Sequence, residues 1–362
     1  MNPSKTRDKL KASLPGKLLL WLLSLAYGLA AWLRRYCYEL GVLKSITVST
    51  RVVCLGNITA GGTGKTTAVI LAARTLAEHG LKTAIISRGY KRVQKTSEPV
   101  IVAEGDPSLW EKTGDEPYML YETLKELEVP VVVCPDRVRA AQTVLDNFQN
   151  QVLLMDDGFQ HYRLYRDADI VLLDAQDPFG GEALLPLGLL REPLHALSRA
   201  NAVMLTHCNL VSAERIAEIK ARLSEICPDV PVILSEHKPE YYLDICNAEK
   251  LALDSISGKA TVLSGIGDPA SFESTLTNLG LDLKQIWRYP DHHPYTLQEL
   301  QSAQALRNGL PLITTYKDFT RFPKEWRSVL TGSVYVLSVQ LSITEGEEHW
   351  LQALYPRLAS RK

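Results

Sequence analysis

The chain has 362 residues, with 40 Lys and Arg against 41 Asp and Glu and a formal net charge of −1. That balance excludes a global electrostatic attraction to nucleic acid, and the length admits one or two domains with substantial cores. The six cysteines, Cys37, Cys54, Cys134, Cys208, Cys227 and Cys246, form no C-x-x-C pair or zinc-ligand spacing, which predicts reduced, mostly buried thiols and speaks against a metal held by protein side chains alone.

The first element is an apolar helix, KLLLWLLSLAYGLAAWLRR, with an uncharged run from Leu18 to Leu33. Over that run a helix extends only ~24 Å, short of a ~30 Å hydrocarbon core. Lys5, Arg7, Lys9, Lys11 and Lys17 precede it and Arg34 and Arg35 follow, so both flanks favour the same, cytoplasmic side. Lys17, Ser24, Tyr27, Gly28, Ala31 and Arg35 form one stripe, and Trp21, Leu22, Leu25, Leu29, Trp32 and Leu33 form a wider apolar face. The pattern predicts a helix lying in a membrane interface. A helix docked on the core and a true span are the competing readings.

From residue 51 the β-branched runs RVVCLG, TAIISRG, VPVVVCP, QVLLMDD, ADIVLLDA and NAVMLTH read as buried strands. Helix-period segments at 66–79, 117–127 and 137–148 separate them. This alternation predicts an α/β fold of the P-loop NTPase kind, a doubly wound, mostly parallel sheet with ligands at the carboxyl ends of its strands. After a helix near 212–226, the stretches VPVILSEHKPEYYLDI, ATVLSGIGDPASFESTLTNLG, KQIWRYPDHH, LPLITTYKD and SVYVLSVQL predict a smaller second α/β lobe. The expected organisation is a membrane helix at 1–40, a core domain at 41–225 and a C-terminal domain at 226–362. Nothing in the sequence predicts an oligomer.

GNITAGGTGKTTAV, following the first strand and opening a helix, has the context of a phosphate loop, G-x-x-x-x-G-K-[ST], although Thr59 stands at the first glycine position. Thr59, Ala60, Gly61, Gly62, Thr63, Gly64, Lys65, Thr66 and Thr67 are the nucleotide-binding candidates. Lys65 would bridge the β- and γ-phosphates and the Thr66 hydroxyl would ligate Mg²⁺. VLLMDDGFQH ends a strand on Asp156 and Asp157, hard oxygen ligands for the same ion. MLTHCN, at 204–209, lacks the Lys and Asp of a guanine-recognition motif, so ATP is preferred. GIGDPA lacks the third glycine of a dinucleotide fingerprint and reads as a tight strand-to-helix turn.

Arg88 and Arg137 follow strand ends, where a guanidinium fork suits phosphate recognition; with Gln160 and His161 they are the candidates for binding substrate. Arg163 and Arg166 have similar positions, and structural salt bridges are the alternative for each arginine. Asp115 and Glu116, beside Pro117, have the composition of a helix N-terminus, where a cap or first-turn acid is the ordinary role. Glu116 is also a candidate Mg²⁺ ligand or a carboxylate supporting one.

VCLGNITAGGTGKTTAV, ISRGYKR, TGDEPYML, DDGFQHYRLYRD, PLGLLREPL and YPDHHPY, in this order, resemble the tetraacyldisaccharide 4'-kinase family, with coverage from the apolar helix to about residue 320. In that family's loop pattern Thr59 is the usual variant, whereas Thr67 replaces its usual proline. The resemblance implies transfer of the ATP γ-phosphate to the 4'-hydroxyl of a tetraacylated glucosamine disaccharide 1-phosphate, a lipid A precursor, at the cytoplasmic face of a bacterial inner membrane. It also implies that Asp115 is the general base and His292 its partner. The chain order places those two in different lobes, so that catalysis would need lobe closure. A soluble P-loop ATPase or metallochaperone switch is the competing function.

Overall fold

The computed structural model describes residues 7, 9–90, 92, 96–103 and 109–356. Lys5, counted among the basic flank, and Lys91 of ISRGYKR lie outside them. Helix α1 spans Leu14–Glu39, followed by β1 (Arg51–Asn57), α2 (Lys65–Glu78), β2 (Thr83–Ser87) and β3 (Val100–Val102). Next come α3 (Leu109–Thr113), α4 (Asp115–Leu124), β4 (Val131–Val133), α5 (Arg137–Asn147), β5 (Val152–Asp156), β6 (Ala168–Asp174) and β7 (Ala202–Thr206). The chain continues with α6 (Ala213–Ile226), β8 (Val232–Asp244), β9 (Glu249–Leu251), β10 (Gly258–Ser264), α7 (Pro269–Asn278) and β11 (Leu281–Arg288). It ends with α8 (Leu297–Leu306), β12 (Leu312–Thr315), α9 (Tyr316–Phe319), β13 (Val334–Glu345) and α10 (Glu347–Leu354).

Two compact units result: Met1–Arg88 with Leu127–Glu236 and Leu341–Lys362, and Gly89–Glu126 with His237–Gln340. This differs from a division at 225/226. Residues 89–126 join the second unit despite their early place in the chain, and β8 and β13 are each shared between units.

In the first unit the strand order is β8-β7-β6-β1-β5-β2-β4, and every neighbouring pair is parallel. All residues of β2, β5 and β7 are buried, which is why these segments read as continuous apolar runs: helices cover both faces. Val52, Cys54, Ile86, Leu153, Met155 and Leu173 pack with Ala140 and Val144 of α5 in one core. Because the strands run in one direction, β1, β5 and β6 deliver their following loops to the same sheet edge.

Helix α1 is 26 residues long, ~39 Å at the α-helical rise, so it outlasts the uncharged run. Its buried residues are Gly16, Leu20 and Ser24. The Ser24 hydroxyl donates to the Leu184 carbonyl at 2.9 Å and accepts from the Leu187 amide at 3.0 Å, and the Tyr27 hydroxyl donates to the Arg191 carbonyl at 3.0 Å. Thus part of the polar stripe faces the protein, while Leu18, Trp21, Leu22, Leu25, Leu29, Trp32 and Leu33 are exposed.

In the second unit the order is β11-β10-β12-β13-β8, with β9 antiparallel on β8. The β10–β11, β10–β12 and β12–β13 pairs are parallel. GIGDPA is the turn between β10 and α7, ending on Asp268, whose carboxylate caps α7 by accepting from the Ser271 amide at 3.2 Å.

Candidate active site

The loop after β1 is fixed from within and from one side. The Asn57 carboxamide donates to the Thr59 carbonyl at 2.7 Å and to the Thr63 hydroxyl at 3.1 Å, tying the two arms of the loop together. The Ala60 amide donates to the Leu189 carbonyl and the Arg191 amide to the Ile58 carbonyl, each at 2.7 Å, so residues 189–191 brace the outer arm. Gly61 and Gly64 have φ of 141° and 74°, which side-chain-bearing residues rarely adopt. A Cβ at Gly61 or Gly62 would meet nothing within 4 Å, so the space in front of the loop is open. Gly64 begins α2 without a side-chain cap, leaving the helix N-terminus as an anion-binding end. The Thr67 hydroxyl donates to the Gly64 carbonyl at 2.8 Å; the departure from proline supplies a hydrogen bond at helix entry.

Asp156 lies opposite Leu55 in the β1–β5 register, is buried, and accepts from the Ser87 hydroxyl at 2.9 Å. Asp157, at φ 49°, accepts from Arg191 Nη1 at 2.9 and 3.1 Å and stands 3.9 Å from Lys65 Nζ. Burial raises its pKa, but Lys65 and Arg191 outweigh burial and hold the carboxyl below its ordinary range. The first unit therefore offers carboxylate and hydroxyl oxygens, an ammonium and an open glycine loop, a donor set that fits magnesium and a nucleoside triphosphate. Among the described residues no three His, Cys, Asp or Glu side chains form a metal cluster, so phosphate and water oxygens would complete the shell.

The four substrate-binding candidates also belong to the first unit. Arg88 is exposed. Arg137 opens α5 but is buried, donating to the Cys134 and Pro135 carbonyls at 3.4 and 3.2 Å; burial lowers its pKa. Gln160 donates to the Asn57 carbonyl at 2.9 Å, at the root of the phosphate loop. Burial, with Arg137 and Arg166 nearby, pushes the His161 imidazole down to about 4. Arg163 and Arg166 instead make ion pairs, with Asp136 at 2.6 Å and Asp169 at 2.7 Å. The residue missed from sequence was Arg191: it lay within PLGLLREPL, but nothing local connects it to Asp157.

Asp115 and His292 both belong to the second unit, so the expectation of separate lobes is corrected. The sequence interval of 177 residues is closed by packing: His292 Nδ1 lies 2.8 Å from Asp115 Oδ2. Asp115 is the first residue of α4, and its other oxygen accepts from the Glu116 amide at 3.0 Å. It is therefore a first-turn acid as well as a partner of His292. Burial raises its pKa, but the His292 hydrogen bond, Lys317 and Arg321 together lower it below the ordinary value. Glu116 lies 3.4 Å from Lys317 Nζ.

Beneath the pair, Asp318 is fully buried. It accepts from the Gly265 amide at 2.8 Å, the Tyr295 hydroxyl at 2.8 Å, the Thr315 hydroxyl at 2.6 Å and Arg321 at 2.7 Å. The Gly265 carbonyl accepts from the His292 amide at 3.2 Å and from Arg321 at 3.1 Å. A Cβ on Gly265 would lie 2.9 Å from the Tyr295 hydroxyl and 3.1 Å from the Pro290 carbonyl, so the glycine admits the loop carrying His292. This is the structural use of GIGDPA.

The sequence model of the LpxK family, described as tetraacyldisaccharide-1-P 4'-kinase, matches residues 16–357. The tetraacyldisaccharide 4'-kinase of Elusimicrobium minutum is 49% identical, with 99% of this chain and 97% of that protein covered. The corresponding protein of Halothermothrix orenii is 34% identical, with 91% of each covered. The structure of the "apo" form of LpxK from Aquifex aeolicus in complex with ATP superposes with a TM-score of 0.74 at 28% identity, covering 94% of this chain and 99% of that one. The chain belongs to the tetraacyldisaccharide-1-P 4'-kinase family.

Proposed function

We propose that the first unit binds MgATP through Thr59–Thr67 and that Asp115, oriented by His292, accepts the proton of the 4'-hydroxyl that attacks the γ-phosphate. As a family member the chain is an ATP-dependent kinase of lipid A biosynthesis, whose acceptor is a tetraacylated glucosamine disaccharide 1-phosphate. Phosphoryl transfer asks chiefly for positioning, charge neutralisation and a proton acceptor. Lys65 neutralises phosphate charge, and the backbone amides entering α2 orient it. Thr66, Asp156 and Asp157 would hold Mg²⁺, which would supply charge neutralisation for the phosphates. Arg191, by pairing with Asp157, keeps that carboxylate ionised and aimed. Gln160, His161, Arg88 and Arg137 are the candidates for holding the acceptor. Glu116 is assigned to Lys317 rather than to the metal.

The observation that carries this reading is the open glycine loop with Lys65 3.9 Å from Asp157, the carboxylate that follows Asp156 at the end of β5. The helix α1 is assigned to the cytoplasmic face of the inner membrane, its leucine and tryptophan face in the interface and its Ser24–Tyr27 stripe on the protein. A soluble nucleotide switch has no use for that apolar face.

The test is ATP consumption by the purified protein with and without the glycolipid acceptor. Consumption that depends on the acceptor, and is abolished in Lys65→Ala with the fold retained, is expected. Equal consumption without acceptor, or wild-type turnover in the variant, would overturn the assignment.

A further inference from the structure

Lys317, in the short helix α9, places its Nζ 3.4 Å from His292 Nε2, 3.4 Å from Glu116 Oε1 and 3.5 Å from Asp291 Oδ1. We propose that Lys317 is a positioning residue for catalysis, holding His292 in the tautomer that carries its proton on Nδ1 and donates it to Asp115. The inference rests on the assignment of Asp115 and His292 as base and partner.

An ammonium has three donors and no acceptor, so its contact with Nε2 requires that nitrogen to offer a lone pair. The ring proton then resides on Nδ1, 2.8 Å from Asp115 Oδ2, and the bond at one nitrogen decides the state of the other. The remaining neighbour of Nε2 pulls the opposite way: Asp291 Oδ2 stands 3.4 Å from it, and a carboxylate favours a protonated Nε2. Lys317 sits against both the ring and Asp291 and offsets that pull. Without Lys317, Asp291 faces Nε2 alone. A neutral ring would turn its proton toward Asp291 and present an Nδ1 lone pair to the Asp115 carboxylate, two acceptors facing each other. The other charged groups of the cluster, Glu116 and Arg321, reach Lys317 and Asp115.

The backbone makes the arrangement specific. Thr315 and Asp318, on either side of Lys317, hydrogen-bond each other, and Asp318 binds the Gly265 amide, while the Gly265 carbonyl receives the His292 amide. The turn bearing Lys317 and the loop bearing His292 are thus fastened to one residue. Lys317 is itself only partly exposed, at 23% of its side chain.

The experiment uses the full chain in detergent with MgATP and the glycolipid acceptor, comparing Lys317→Met, Lys317→Arg, His292→Ala and the Lys317→Met/His292→Ala double variant. Selective ¹⁵N labelling of histidine reports the protonation of His292 Nε2. Expected for Lys317→Met are a fall in kcat of about tenfold or more, within the ~10²–10⁴ range of general-base contributions, an unchanged KM for ATP, and a shift of Nε2 from the unprotonated to the protonated ¹⁵N region. Lys317→Arg, which keeps a donor and a charge, should restore most of kcat. In the His292→Ala background Lys317→Met should cost no more than about twofold, the tolerance expected of sites whose shared partner is gone. An unchanged Nε2 signal in Lys317→Met, or the same loss with and without His292, would overturn the proposal. Wild-type kcat in His292→Ala would instead overturn the base-and-partner assignment beneath it, whatever Lys317 does.

Discussion

As the proposed base, Asp115 must remain ionised inside the protein and receive a proton only as the acceptor hydroxyl reacts. Its depressed pKa, caused by His292, Lys317 and Arg321 against the cost of burial, serves the first requirement, and the 2.8 Å bond to His292 fixes its direction. If the pair works as a unit, removing either member costs most of what removing both costs, because the survivor loses its working geometry. Measured under saturating ATP and lipid, kcat for Asp115→Ala, His292→Ala and the double variant should fall by similar factors, each within ~10²–10⁴. Independent, multiplying losses would separate the two residues. His161 carries a different prediction. Its pKa falls from 6.5 to about 4 on burial, so between those values the unfolded chain binds more protons than the folded one, and stability declines as pH drops through the window. His161→Gln should flatten the decline in urea unfolding between pH 6.5 and 5, an effect on the order of 2 kcal/mol; an unchanged slope would contradict the buried, neutral imidazole. Lys65 and the Asp156–Asp157 pair were legible as candidates because motif and spacing mark them, whereas Asp115 stood out only through the family resemblance. Lys317, Arg191 and Gly265 were not legible, because each acts on a residue that only folding brings near.

At the scale of elements, helix α1 serves two faces. Leu20 and Ser24 dock on the first unit while the leucine and tryptophan face stays exposed, so docking and the proposed membrane contact fall on different stripes of one helix. Deleting residues 1–36 should move the protein from the membrane to the soluble fraction. It should also lower activity on lipid in vesicles more than on detergent-solubilised lipid, because the helix concentrates the enzyme at the interface. Persistence in the membrane fraction would show that other surfaces anchor it. The helix itself was evident from its apolar run, but it starts at Leu14 and continues to Glu39, beyond both ends of the 17–35 stretch that the apolar pattern marks. The buried strands were equally plain, since a parallel strand covered on both faces must be apolar throughout. The short β3 and β9 lacked any such run, with only three residues each, and α8, opened by the Thr296–Glu299 capping box, was not read from sequence.

Across the whole molecule, the chain divides the chemistry between two units that are interleaved in sequence. The phosphate loop, Asp156, Asp157 and the four acceptor-side candidates belong to one; Asp115, Glu116, His292 and Lys317 belong to the other. A sequence read from end to end suggests consecutive domains, so the excursion of residues 89–126 into the second unit was hidden, and with it the proximity of Asp115 to His292. The fold class survived that error because strand alternation is local, whereas membership of a unit is decided by packing. If phosphate moves from ATP to the 4'-hydroxyl of the disaccharide lipid as proposed, with Lys65 on the phosphates and Asp115 taking the proton, both residues are needed for the product. The most direct measurement incubates the purified protein with γ-labelled ATP, Mg²⁺ and the tetraacyldisaccharide 1-phosphate, then locates the label by fragment mass spectrometry. One new phosphate on the 4'-oxygen is expected with the wild type and none above background with Lys65→Ala or Asp115→Ala; label found only as inorganic phosphate, or on another oxygen, would refute the transfer.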